Sequence, residues 1–309
     1  KDEGRRTKDE GRRTKMVTVD IEELATRLAA GGALSSSELR ELAASRDLIG
    51  LGMLAADVRA RLHGARGTFA RVDMLSVDDV SAGVSVASDA GEVRLAGPVS
   101  TLDAAVAAVA ALRATTTLPL SGWALHDLAT LGPLGEVLPA LRAAGLDAIA
   151  TARLDRLDLA QLHAVSSAGL AIQAVTLGTP LDGDALLDAL AQLRAWQAAT
   201  GVIRACAPLP VEVSADAPTT GFDDMRHVAL ARLALDNVPH LSAHWTRMGP
   251  KLSQSCLLFG ADDIDAVPAR DDMPHGPRRA IVEEVRRNIA AASLAVVERD
   301  GAWQPRGAA

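Results

Sequence analysis

The feature that most restricts the fold of this sequence is the alternation of short apolar runs with longer segments rich in Ala and Leu. Three of the longer segments end at a glycine that precedes an apolar run: Gly145 before LDAIA, Gly169 before LAIQAV and Gly201 before VIRAC. Glycine adopts the left-handed conformation that closes a helix without a Cβ clash, so this pattern indicates helix-to-strand loops. Repeated strand and helix alternation predicts βαβ units and a parallel sheet.

Eight apolar runs are short and β-like, and eight strands with intervening helices predict an α/β fold of the (β/α)8 TIM-barrel type. Only between the first two runs, at residues 77–90, is no clear helix indicated. The predicted strands are residues 69–75, 93–96, 118–121, 148–150, 171–175, 202–206, 241–245 and 264–267.

Helical patterns also precede the first strand, at residues 19–30, 36–50 and 51–63. We therefore predict an N-terminal helical segment at residues 16–67 and a barrel with a C-terminal helix at residues 68–309.

Residues 1–15 consist of the unit KDEGRRT written twice and followed by Lys15, with no apolar side chain to bury. Such a segment is typical of a tag or a disordered arm. A basic arm that binds an acidic partner is the alternative interpretation.

Charge and composition exclude several classes of function. The formal net charge is -7 although the first fifteen residues are basic, so the body is acidic and we expect no nucleic-acid binding. No apolar run approaches the ~20 residues of a membrane span. With two cysteines and no signal-peptide pattern, a cytoplasmic location is the simplest expectation.

Residues 229–267 combine a helical ARLALDNVPH, a short strand that ends in Trp245, and the segment FGADD. This pattern resembles the C-terminal half of aminofutalosine synthase and of cyclic dehypoxanthine futalosine synthase, radical S-adenosylmethionine (SAM) enzymes of the menaquinone futalosine pathway. The likeness extends upstream through LRAAGLDAIA, LAQLRAWQAATG and CAPLP. The resemblance implies a radical SAM-type barrel with N-terminal helices.

The chain departs from this family where the family places its chemistry. Radical SAM enzymes hold an iron–sulfur cluster with three cysteines, in a CxxxCxxC loop after the first strand. The corresponding residues here read RVDMLSVDDVSAG, and the cysteines present are Cys206 and Cys256. Gly97 and Gly178 match the SAM-binding pattern, but TARLDRLD replaces its glycine-rich run. We therefore expect no cofactor, neither a cluster nor bound SAM, and no radical SAM activity.

Ligands of such barrels bind at the carboxyl ends of the strands, so polar side chains there are the candidate ligand-binding residues. No catalytic residue is assigned. His240 and His244 are four residues apart, but Pro239 and the alternating pattern favour a strand over a helix, so no metal site is predicted. The candidates are Asp73, Trp123, His126, Arg153, Thr176, Arg204 and His244.

The adjacent residues Asp262 and Asp263 would face opposite sides of a strand, which favours a helix-capping or loop-ordering role over a shared acid/base pair. His240 is interpreted as an anchor of the helix-to-strand turn. Cys256 is expected to be a buried structural thiol, whereas Cys206 lies nearer the ligand face.

Two hypotheses of function follow. In the first, the chain is a catalytically degenerate radical SAM-like barrel that keeps a pocket for a nucleoside-like ligand. It would act as an accessory protein of menaquinone biosynthesis, with an active radical SAM enzyme of the pathway as partner. In the second, the barrel mouth performs redox-free lyase or hydrolase chemistry with His126, Arg204 or His244. The sequence leaves open whether the chain is an enzyme.

Overall fold

Three helices precede the barrel in the computed structural model, which describes residues 21–212, 219–270 and 281–307. They are α1 (Ile21–Ala29), α2 (Ser36–Ala44) and α3 (Leu48–His63). The predicted helix 36–50 was too long, because the Asp47 carboxylate accepts the backbone N–H of Gly50 and starts a new helix. The tag or arm predicted at residues 1–15 lies outside the described residues.

Eight parallel strands form a closed barrel, in which each strand pairs with the next and β8 pairs with β1. The predicted (β/α)8 fold is thus confirmed. We call the end where the strands begin the floor and the end where they finish the mouth. The strands are β1 (Arg66–Leu75), β2 (Glu92–Leu95), β3 (Leu120–Ala124), β4 (Ala148–Arg153), β5 (Ala171–Leu177), β6 (Ala205–Pro210), β7 (His240–His244) and β8 (Asp263–Pro268).

Helices surround the strands and bury a core made mainly of Leu, Val, Ile and Ala. The segment without a clear predicted helix contains a five-residue helix, whose N-terminus Ser76 and Asp79 cap through a capping box. None of the helices in the described ranges combines the length and the apolar composition needed to cross a bilayer. The helices are α4 (Val77–Ser81), α5 (Leu102–Thr115), α6 (Leu125–Leu128), α7 (Leu134–Ala144), α8 (Leu159–Ser167), α9 (Gly183–Thr200), α10 (Gly221–Ala234), α11 (Trp245–Leu258) and α12 (Ile281–Ala291).

The sixth strand differs from its prediction of residues 202–206. The Gln197 side chain bonds both the N–H and the carbonyl of Ile203, so the ladder of β6 begins only at Ala205. Arg204 therefore lies at the floor, before β6, and not at the mouth with the other candidate residues.

A ninth strand, β9 (Ala295–Arg299), was not predicted. It pairs in parallel with residues 66–70 of β1, while β2 pairs with residues 72–75. The C-terminal tail, residues 300–307, then turns across the floor. There the Gly301 carbonyl accepts hydrogen bonds from Gln173 and Arg204. The chain end thus closes the floor of the barrel.

Candidate functional site

An ionic network fills the barrel interior. Arg94 of β2 donates through Nη1 to Oδ2 of Asp265 (2.8 Å) and through Nη2 to Oε1 of Glu92 (2.8 Å). Arg299 contacts both carboxylate oxygens of Asp263 at 2.7 Å and Oδ1 of Asp265 at 3.3 Å. All five side chains are buried, so each charge depends on its partners for compensation.

The two carboxylates of β8 respond differently to this network. Burial raises the pKa of Asp263 above its usual range, and Arg299 only partly offsets the rise. Burial also acts to raise the pKa of Asp265, but the Arg94 and Arg299 guanidiniums outweigh it and hold that pKa well below its usual range. Asp265 is therefore the firmly ionised carboxylate next to the mouth.

His244, the last residue of β7, stands beside this carboxylate in the strand register. Burial lowers the pKa of the imidazole to about 4, and Asp265 opposes that effect without overcoming it. Nδ1 lies 3.1 Å from the Thr246 hydroxyl. His244 is consequently neutral at pH 7 and can accept or donate a hydrogen bond.

A cleft of about 370 Å³ opens at the mouth between the end of β6 and the start of α11. Leu209, Pro210 and Met248 form an apolar wall, and Asp224 and Arg247 supply charge. Burial raises the pKa of Asp224 and lowers that of Arg247. An apolar wall with a few polar groups is the common composition of a small-molecule site.

Trp123, at the mouth end of β3, has two unusual properties. Its φ of 49° is uncommon for a bulky residue, and its buried indole N–H has no hydrogen-bond partner among the described residues. A strained backbone costs on the order of 1–3 kcal/mol, and an unsatisfied buried donor costs a similar amount. Oε2 of the buried Glu92 likewise has no partner in the described part of the chain.

The other predicted residues near the mouth are largely engaged by the protein itself. Asp73 accepts two hydrogen bonds from Arg270 and one from the N–H of Ala87. Arg153 pairs with Asp155 and Glu212, both partly exposed.

Thr176 and His126 have weaker contacts. The Thr176 hydroxyl lies 3.5 Å from the Ala152 carbonyl, and His126 Nε2 lies 3.4 Å from Asp127. His126 Nδ1 is buried without a partner in the described ranges. Of the predicted residues, the structure places His244 beside the ionic network, leaves Trp123 and His126 with unsatisfied nitrogens among the described residues, and places Arg204 at the opposite end of the barrel.

Reasoning from sequence missed the network residues Glu92, Arg94, Asp265 and Arg299. A usable signal was present: in EVRL, the charged residues alternate with apolar ones inside a strand of a closed barrel. One face of such a strand lies in the interior, so buried ion pairs were the consistent interpretation.

A second polar cluster lies at the floor, where Nδ1 of His240 is 2.6 Å from Oδ2 of Asp262 and Nε2 of His63 is 3.6 Å from Oδ1. The ligand atoms of these three residues lie within 4.8 Å of one another, a spacing compatible with a metal ion. The Asp262 carboxylate, however, also accepts bonds from buried Arg232 and from the N–H of Leu241. Burial acts to raise the pKa of Asp262, but Arg232 and His240 hold it at about 2.

The rings at this cluster are stacked. His240 lies between His63 and Trp303, with centroid distances of 5.0 Å and 4.0 Å. The stacking of His240 on Trp303 anchors the C-terminal tail at the floor.

Known proteins similar to this chain in sequence include futalosine synthases and, over shorter segments, 5-amino-6-(D-ribitylamino)uracil–L-tyrosine 4-hydroxyphenyl transferases, of which that of Methanoculleus marisnigri is 46% identical over 50 residues, covering 16% of this chain and 14% of that protein. No family model matches the chain. It is 31% identical over 204 residues to the aminodeoxyfutalosine synthase of Thermus thermophilus, a match that covers 56% of this chain and 55% of that protein. It is 26% identical over 161 residues to the cyclic dehypoxanthine futalosine synthase of Streptomyces coelicolor, covering 45% and 40%. Over the matched part of its length the chain is homologous to these futalosine synthases. The resemblance predicted from the ARLALDNVPH and FGADD segments is confirmed, and the matches span about half the length of these relatives.

Solved structures agree on the fold. Methylornithine synthase superposes with a TM-score of 0.65 at 13% identity, covering 88% of this chain and 97% of that one. The FeFe-hydrogenase maturase HydG from Carboxydothermus hydrogenoformans gives a TM-score of 0.64 at 12% identity, covering 90% and 79%. At these identities the likeness shows the fold alone, a closed parallel barrel surrounded by helices.

Proposed function

We propose that this homologue of the futalosine synthases works without an iron–sulfur cluster. In this proposal it is an accessory protein of menaquinone biosynthesis that binds a nucleoside-like ligand at the barrel mouth. Its partner would be a radical SAM enzyme of the same pathway. The observation that supports this proposal is the segment after β1, which forms the capped helix α4 and contains no cysteine.

The residues present do not fit a cluster. Iron–sulfur clusters require thiolate ligands, and the segment after β1 offers the Ser76 hydroxyl and the Asp79 carboxylate, each engaged in the capping box of α4. Cys206 in β6 and Cys256 in α11 are both buried, and burial raises the pKa of each thiol to about 12. Such thiols stay protonated at neutral pH and make poor metal ligands.

The mouth supports a retained ligand site. The cleft offers an apolar wall for a planar ring and charged groups in Asp224 and Arg247. At the same end of the barrel, β3 carries the unsatisfied indole N–H of Trp123 and β7 the neutral imidazole of His244. Unsatisfied buried groups gain most from a ligand that supplies the missing hydrogen bonds. The nucleoside class itself comes from the resemblance to the synthases.

One observation favours the second candidate, a redox-free lyase or hydrolase. His244 is neutral, lies beside ionised Asp265 in the strand register and has Nδ1 within 3.1 Å of the Thr246 hydroxyl, so its ring could act as a base toward a ligand at the mouth. Arg204 cannot contribute from the floor. Asp265 is also bonded to Arg94 and Arg299, which leaves it less free to support a base.

His244→Gln is expected to weaken binding of aminodeoxyfutalosine by about tenfold, because it removes a ring nitrogen at the mouth, while the melting temperature stays close to that of the wild type. His126→Ala should behave similarly. Titration calorimetry and melting curves measure both properties, and His163→Gln, on the exposed face of α8, is the matched control.

Absence of wild-type binding at millimolar nucleoside would contradict the retained pocket. Conversion of the nucleoside by the wild type, abolished in His244→Gln, would instead support the lyase or hydrolase.

A further inference from the structure

A cleft of about 410 Å³ lies at the floor, on the side opposite the mouth. Its wall comes from the loops that lead into β3, β4, β5 and β6 and from Ala302 of the C-terminal tail. Neither the ionic network nor the mouth cleft contributes a residue to it, so it is a separate candidate site.

Positive charge dominates the cleft, which contains Arg113, Arg142 and Arg204 against one carboxylate, Asp147. Arg113 is committed to structure: Nη2 donates to Asp147 (2.6 Å) and to the Gly145 carbonyl (2.7 Å), and Nη1 donates to Leu118.

Arg142 also has a structural contact but keeps free donors. Its Nη1 bonds the Leu146 carbonyl (3.0 Å) and Asp147 (3.1 Å) at the end of α7. These bonds and those of Arg113 satisfy the carbonyl groups of Gly145 and Leu146, which directly follow α7. Nε and Nη2 of Arg142 have no acceptor among the described residues.

Arg204 is the unusual member of the set. It is half-buried, and burial lowers its pKa, yet it forms no ion pair in the part of the chain that the structure describes. Within the described ranges, Nη1 alone is bonded, to the Gly301 carbonyl at 2.9 Å and more weakly to Oε1 of Gln173 at 3.4 Å.

The acids near Arg204 form no hydrogen bond to it among the described residues. Glu92 bonds Arg94 and Ser121 through Oε1, Asp147 bonds Arg113 and Arg142, and Asp300 accepts the backbone N–H groups of Ala302 and Gln304. A half-buried guanidinium without a bonded anion is costly, and an anion from solution would offset that cost.

We infer that this floor cleft binds a small oxyanion, a carboxylate or a phosphoryl group, between Arg142 and Arg204. Guanidinium groups recognise such anions through paired N–H donors, which both side chains retain on Nε and Nη2. Because Arg204 also holds the Gly301 carbonyl, the bound anion should stabilise the docked C-terminal tail.

The test compares inorganic phosphate, malonate and chloride at equal ionic strength in Tris buffer. Phosphate or malonate should raise the melting temperature of the wild type above the chloride value, since an anion that binds only the folded state stabilises it. Arg204→Gln should weaken binding measured by calorimetry by about tenfold or more, and Arg142→Gln should also weaken it. Arg194→Gln, which removes an exposed arginine paired with Asp236 on another surface, should have no effect on binding.

A larger shift with phosphate assigns a phosphoryl ligand, and a larger shift with malonate assigns a carboxylate. Equal melting temperatures in all three salts overturn the inference, as does wild-type affinity in both Arg204→Gln and Arg142→Gln. Should Arg204→Gln fail to fold, the partly exposed Arg142 and the ¹⁵Nε resonance of Arg204 in the wild type decide the question, because an unchanged resonance upon phosphate or malonate addition also overturns it.

Discussion

Arg299→Ala is expected to lower the free energy of unfolding by about 3–5 kcal/mol, the usual cost of removing one partner from a buried ion pair. The Arg299 side chain is 2% exposed, and it bonds both oxygens of the fully buried Asp263. Its guanidinium also lies 3.6 Å from the centroid of Trp303, in cation–π contact. The alanine variant leaves Asp263 buried without its counter-ion and frees the tail from the floor.

Chemical denaturation measures this loss, and Arg286→Ala is the control. Arg286 is 47% exposed and pairs with Glu283, so its removal should cost less than about 1 kcal/mol. Similar losses in the two variants would show that the interior network contributes little to stability.

Gly260→Val is expected to destabilise the protein by about 2–4 kcal/mol, from backbone strain and crowding together. Gly260 joins α11 to β8 with a φ of 106°, which a β-branched residue resists. An added Cβ would lie 3.0 Å from Cβ of Arg232 and 3.1 Å from Cβ of Ala55. Two packed elements would therefore have to move.

Gly201→Val separates the two contributions. Gly201 has a φ of 66°, but a Cβ added there would meet no atom of the described residues within 4 Å, so only strain applies. Denaturation curves should show a clearly larger loss for Gly260→Val, and equal losses would contradict the crowding derived from the packing around Arg232.

The barrel could be predicted because its signals are local. Gly145 and Gly201 close helices in the left-handed conformation that the sequence indicated, and the alternation between them set the strand count. β9 escaped prediction because its partner, β1, lies more than 200 residues away in sequence and its AVVER segment ends in charged residues. The start of β6 depends on a side-chain contact of Gln197, which no period reveals.

The site was less accessible from sequence. His244 could be found because it ends a strand, but its neutral state depends on burial and on Arg247 and Arg94, which come from separate segments. Arg204 was predicted to lie within the sixth strand because that strand was predicted to begin at residue 202, three residues before its observed start at Ala205. Ion pairs such as that of Arg94 with Asp265 join residues that are far apart in the sequence, so no local pattern predicts them.

The most direct test of the central claim is anaerobic reconstitution with iron and sulfide, followed by metal and sulfide analysis and absorption spectroscopy. Two buried, protonated thiols on separate elements should hold no cluster, so the account predicts substoichiometric iron and sulfide, unchanged in a Cys206→Ser and Cys256→Ser double variant. A brown protein with about four iron and four sulfide per chain, the content of a [4Fe–4S] cluster, would contradict it.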